Sequence, residues 1–156
     1  MSQGPHTYQQ WLDCLQQLEQ HPFNRDLQQQ VRMGTYDGKP TETFLSRVSA
    51  SVSVMLSVCT RRFLHEMDQA LADGEPDMAV VLASRFRRRI GQCLFYRDLG
   101  FFEEDYVRTL DDGFRNQLDA FWKDFLNQLQ KSLKDSMDPR VEDMALELRR
   151  IKTLVP

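Results

Sequence analysis

The apolar rhythm between Phe44 and Met67 limits what this chain can fold into more than any other feature. Phe44, Val48, Val52, Met55, Cys59, Phe63 and Met67 recur at spacings of three and four, the period of a helix buried along one side. Part of the same stretch also alternates. Val48, Ala50, Val52, Val54, Leu56 and Val58 are separated by serines or by Met55, which is the period of a strand. A strand here would run to roughly 11 residues, about twice the usual length, and no hairpin partner exists elsewhere. The spacing therefore predicts one long helix from about Glu42 to Ala72, ended by Asp73-Gly74. Ser46, Ser49, Ser53 and Ser57 form a small-residue row on its other side, so a second helix can approach closely and this helix is expected to be central. Its valines lower helix propensity, which packing has to offset.

The flanking segments read as helices too. Thr7 and Gln10 form a capping box ahead of Tyr8, Trp11, Leu12, Leu15 and Leu18, a stripe that stops at Pro22. Asn24 caps a short helix carrying Leu27 and Val31, with Gly34 at its end. A fourth helix starts around Pro76-Asp77, carries Ala79, Leu82, Ala83, Phe86, Ile90 and Cys93 or Leu94, and closes at Gly100. A short helix over Glu103–Leu110 is expected next. A long one capped by Asp112 follows, with Phe114, Leu118, Phe121, Phe125, Leu129 and Leu133 as its stripe. Asp138-Pro139 opens the last helix, about 139–152. There Val141, Met144, Ala145, Leu148 and Ile151 face inward, and Arg149, Arg150 and Lys152 suit its C-terminal end. The expectation is an all-α, compact single-domain bundle of five or six helices over residues 1–156, with a short flexible N-terminus at 1–6 and a loop at 34–42.

Composition narrows the function classes. An apolar share of 41% and a charged share of 28% are those of a globular chain, not a disordered one. The net charge of −3 argues against bulk attraction to nucleic acid or to an anionic membrane. No run of consecutive apolar residues reaches the ~18 of a membrane helix, and no secretory leader pattern opens the chain. Cys14, Cys59 and Cys93 are odd in number and sit in apolar stripes, as reduced core thiols in a cytoplasm do.

Catalytic signatures fail on inspection. Gly34–Thr41, "GTYDGKPT", lacks the spacing of a phosphate-binding loop, and Pro40 follows its lysine. "HEMDQ" (His65–Gln69) has glutamine where a zinc-protease helix needs its second histidine. His6, His21 and His65 are the only histidines, so no metal and no cofactor is expected. Cys59 and His65 fall on different faces of their helix and make no nucleophile–base pair. The expectation is a protein that is not an enzyme.

"SRFRRRIGQC" (Ser84–Cys93) is the remaining suspect. On a helix, Arg85 and Arg89 flank the apolar stripe on one side, Arg87 borders it on the other, and Arg88 points away. The acids Asp98, Glu103, Glu104, Asp105, Asp111 and Asp112 follow closely, so local neutralisation is expected and a nucleic-acid groove is disfavoured. On that same helix Phe95 projects opposite the stripe, and Tyr96, Phe101 and Phe102 cluster around Gly100. Arginine with aromatics is the composition of interface hot spots. The sequence thus points to a regulatory or adaptor protein, or a homo-oligomer, working through protein–protein contact. The predicted contact residues are Arg85, Arg88, Arg89, Phe95, Tyr96, Phe101 and Phe102. Two other readings stand beside it: a nucleic-acid-binding regulator using Arg85–Arg89, and a helical pocket for a small apolar or anionic ligand anchored by Arg97.

Overall fold

The stretch that fits two periods is helix throughout. The computed structural model describes residues 4–75, 77–134, 139–151 and 154. Among these residues six α-helices occur and no strand: α1 (Tyr8–Gln20), α2 (Arg25–Arg32), α3 (Glu42–Ala72), α4 (Met78–Gly91), α5 (Glu104–Lys134) and α6 (Pro139–Arg149). A 3₁₀ segment, Gln92–Asp98, continues α4. The expected roles of Pro76, Asp138 and Lys152, and of the Leu133 and Val141 side chains, fall outside the described residues.

Local chemistry sets the helix ends. Thr7 and Gln10 make the reciprocal capping box of α1, and Asn24 and Thr41 accept from the third amide of α2 and α3. At the far end of α3, Gly74 adopts φ +71°. Its amide reaches Leu71 O at 3.2 Å while that of Glu75 reaches Ala70 O at 2.8 Å, the paired bonds of a Schellman stop.

The tertiary arrangement follows from α3, which packs against α1, α4, α5 and the 3₁₀ segment. Every residue of its predicted stripe, from Phe44 to Met67, is buried. By hydropathy, 1.3 over an 18-residue window, α3 is also long and apolar enough to cross a membrane, which the count of consecutive apolar residues had not indicated. Two aromatic clusters seat on it. Phe44 gathers Trp11 at 5.5 Å, Tyr36 stacked at 4.4 Å, and Phe101 and Phe102. Phe63 gathers Phe86 stacked at 4.7 Å, Phe125 at 5.1 Å, Trp122 and Phe121. Such rings bury the largest apolar areas and dominate core energetics. The serine row meets α5 through a polar contact, with Ser53 Oγ donating to Gln117 Oε1 at 2.9 Å.

The structure adds to two sequence expectations and corrects two others. Residues 5 and 6 bond to the 34–42 loop, where Pro5 O accepts from Thr35 N at 2.9 Å and His6 O from Asp37 N at 3.2 Å. Gly34 does more than end a helix. A Cβ there would stand 2.4 Å from Trp11 Cζ2, so only glycine lets the indole lie flat and donate to Thr35 O at 2.7 Å. Asp112 caps nothing, since α5 runs unbroken through Asp111-Asp112-Gly113. Leu110 and Phe114, one turn apart, are both buried there, and Gly113 has open space around it, so a continuous helix buries more than a broken one. Gly100 does not close the fourth helix either. The backbone tightens at Gln92, kinks at Leu94 (φ −89°, ψ 22°) and stops at Asp98.

Candidate functional site

The arginine run belongs to α4, and its sequence sorts cleanly around the helix axis. Ala79, Leu82, Ala83, Phe86 and Ile90 are buried. At about 100° per residue, Val80, Val81, Ser84, Arg87 and Arg88 share an outward arc of about 120°. All five are exposed, with Val80 at 47% and Val81 at 44%. Two adjacent β-branched side chains on an outer face gain nothing from burial in this fold. Arg85 is exposed at the edge of the arc, where it borders a shallow cleft with His65, Glu66, Gln69, Asp73 and Glu75.

Arg89 leaves this group. Its Nη1 lies 3.0 and 3.1 Å from the two Glu66 oxygens, and its guanidinium sits 5.2 Å from the centre of the Phe23 ring. The side chain is only 19% exposed, so this arginine joins α4 to α3. Five of the six downstream acids face other partners. Asp111 pairs with Arg97, Asp98 with Arg32, Glu103 with Lys39, and Glu104 and Asp105 with Arg108. Local neutralisation of the α4 arginines by those acids is therefore not what the described residues show. Arg85, Arg87 and Arg88 make no ion pair among them.

The aromatic half of the predicted surface lies inside the protein. Phe95 is 1% exposed, Tyr96 0% and Phe102 9%, and Phe101 is half-buried against Trp11 at 5.8 Å. Two features account for this. The turn to 3₁₀ geometry at Gln92 re-aims every later side chain, and α2, α3 and α4 all pack against the segment. Tyr96 OH donates to Asp111 Oδ1 at 2.5 Å. Burial first, then that carboxylate, pushes its phenol far above the ordinary tyrosine range. Arg97 Nε holds the same oxygen at 2.9 Å, so its role as a free anion anchor is lost to an internal ion pair.

None of the three cysteines is poised as a nucleophile. Burial raises the Cys14 thiol to about 11. Cys59 and Cys93 meet at 3.9 Å between sulfurs, and that contact together with burial holds Cys93 well above the ordinary thiol range. His65 is exposed while Cys59 is buried. Among the described residues no three His, Cys, Asp or Glu side chains converge as metal ligands. A polar knot joins α1 to α3: Glu19 Oε1 accepts from Arg47 Nη1 at 2.5 Å and from Ser51 Oγ at 2.7 Å. Burial disfavours the Glu19 carboxylate, but those two donors and the arginine charge outweigh it and lower its pKa.

Of the predicted contact residues, those left exposed are Arg85 and Arg88, on and beside the outer arc of α4. Arg85 and Arg88 were singled out from the sequence, whereas the equally exposed Val80 and Val81 were not. The signal for them was present, as two valines off the apolar stripe of an amphipathic helix. The chain matches no protein-family model, no curated protein and no solved structure.

Proposed function

We propose that this chain is a non-enzymatic helical protein that acts through protein–protein contact, and that the outer arc of α4 is its contact surface. The observation that carries this reading is the pairing of exposed Val80 and Val81 with Arg85, Arg87 and Arg88 on one helix. The protein as a whole is acidic, at −3, so this arc is a local field of opposite sign. The occupant that fits is an acidic helix of a partner protein, its apolar residues on the valines and its carboxylates on the guanidinium groups. Three buried, unpaired cysteines support a reducing compartment, hence the cytoplasm, as its place of work.

The test compares wild type with Arg87→Glu/Arg88→Glu, a change confined to exposed side chains. Cross-linked partners from the source extract should map to α4 through an acidic segment and disappear in the reversed variant. Cross-links that fall elsewhere, or capture that survives the reversal, refute the surface. A native mass that rises with concentration in wild type only makes the occupant a second copy. Salt-dependent binding of a DNA duplex, lost in the variant, replaces the proposal with the nucleic-acid reading.

A further inference from the structure

We infer that a second site, the cleft between the 34–41 loop and the start of α5, binds a small organic ammonium carrying an aromatic or apolar body. The cleft encloses about 390 Å³, near the lower end of the range for small-molecule pockets, roughly 300–1,000 Å³. Pro40, Leu45, Phe101, Phe102 and Tyr106 form its walls, with Lys39 and Glu103 also lining it. The rings adjoin: Phe101 and Phe102 meet edge-on at 4.6 Å, and Phe102 and Tyr106 at 5.2 Å. Phe44 stands behind the first two at 6.3 and 6.2 Å, so they cannot retreat into the core.

Three observations set the ligand's charge. Ring faces attract cations and repel carboxylates. Tyr106 donates its hydroxyl to Leu45 O, and burial lifts its phenol to about 12, so it stays neutral and Glu103 is, among the described residues, the only acid lining the cleft. Glu104 and Asp105 engage Arg108, whereas Glu103 faces the Lys39 ammonium at 3.9 Å. Those two side chains are 86% and 77% exposed, which makes this a weak, solvent-screened pair. The chain's own ammonium therefore occupies the acidic lip of an aromatic cleft. A ligand ammonium displaces it, gains Glu103, and lays its apolar body on Phe101 and Phe102, which the Lys39 side chain, 86% exposed, leaves largely uncovered.

The probes are 2-phenylethylammonium, its neutral analogue 2-phenylethanol, and phenylacetate, titrated separately while the aromatic proton resonances of the cleft are followed. The ammonium should bind about tenfold more tightly than either analogue. Glu103→Gln should bring ammonium and alcohol within about threefold of each other without weakening the alcohol, and Lys39→Met should tighten the ammonium about threefold. Phe101→Leu should weaken all three probes, and the ammonium most, because it alone also loses the attraction of a ring face. The inference is overturned if phenylacetate binds as well as the ammonium, or if the preference survives Glu103→Gln. Unchanged affinities in Phe101→Leu, or no resonance shift at millimolar ammonium, overturn it equally. Lys39 and Glu103 project into water, so their variants leave the fold intact.

Discussion

Phe95→Ala separates the two places this side chain could occupy. Read as a helix outlier it belongs to a contact surface, and its removal costs the fold nothing beyond about 0.5 kcal/mol. In the structure it is 1% exposed, edge-on to Tyr96 at 6.2 Å, in a segment packed on by three helices. Truncating a phenylalanine at such a site removes its transfer free energy and leaves a cavity, a loss of about 3–5 kcal/mol. Native domains hold only about 5–15 kcal/mol in total, so the variant should fold but sit near its limit. Urea denaturation followed by far-ultraviolet circular dichroism measures this directly. The midpoint should fall by more than 1 M with the slope unchanged, taking a slope of about 1–3 kcal/mol/M. In thermal melts the same loss amounts to roughly 6–20 °C, at about 2–4 °C per kcal/mol for this size. Arg88→Ala, on the exposed arc, serves as the control and should stay within about 0.5 kcal/mol of wild type. A Phe95→Ala midpoint indistinguishable from that control refutes the burial of the segment, and with it the relocation of the contact surface to α4.

Other outcomes are equally specific. Gly34→Ala should lower the denaturation midpoint by the equivalent of about 1–3 kcal/mol, because the new Cβ falls 2.4 Å from Trp11 Cζ2; an unchanged midpoint contradicts that contact. The folded Glu19 pKa lies below the ordinary 4.5, so its contribution is complete above that value and is lost as pH falls through the folded pKa. Ser51→Ala should cost about 1–3 kcal/mol at neutral pH and flatten the Glu19-dependent part of the acid loss, as denaturation midpoints across the acid range would show. The raised Tyr96 phenol acts at the other extreme. Its contribution is complete below the ordinary value of 10.0 and wanes as pH rises past it, where the unfolded chain ionises first. Tyr96→Phe should remove that alkaline slope. Finally, all three thiols are buried, so a disulfide reagent should label them slowly in the native protein and promptly in denaturant; fast native labelling contradicts their placement.

The sequence was most legible where a helix buries one face against its neighbours. In α3 the 3.6-residue rhythm ran long enough to outweigh the alternating serines, and both termini were marked by residues that bond to the backbone. It was least legible where a residue's local role competed with a distant one. Asp111-Asp112-Gly113 has the chemistry of a helix break, yet Asp111 serves Tyr96 and Arg97 and leaves the backbone helical. The aromatic contact surface was misplaced for a related reason. A uniform 100° per residue puts Phe95 outside, while the kink at Leu94 and the cover from α2 are tertiary facts with no periodic signature. Arg89 repeats the lesson, since its partner Glu66 lies on another helix and no spacing announces it.

The placement of the two indoles gives the protein a pair of optical addresses. Trp11 rests on Phe44 and Trp122 beside Phe63, positions separated along α3 by about 28 Å at 1.5 Å per residue. Their emission therefore reports from two separate levels of the same rod. A molecule entering the cleft beside Phe101, itself 5.8 Å from Trp11, should perturb the first indole and leave the second dark to the event. A partner settling on α4, whose Phe86 stacks on Phe63, should address the second. Set beside wild type, Trp122→Phe assigns the change: a response that survives in the variant comes from the cleft, and one that disappears comes from α4.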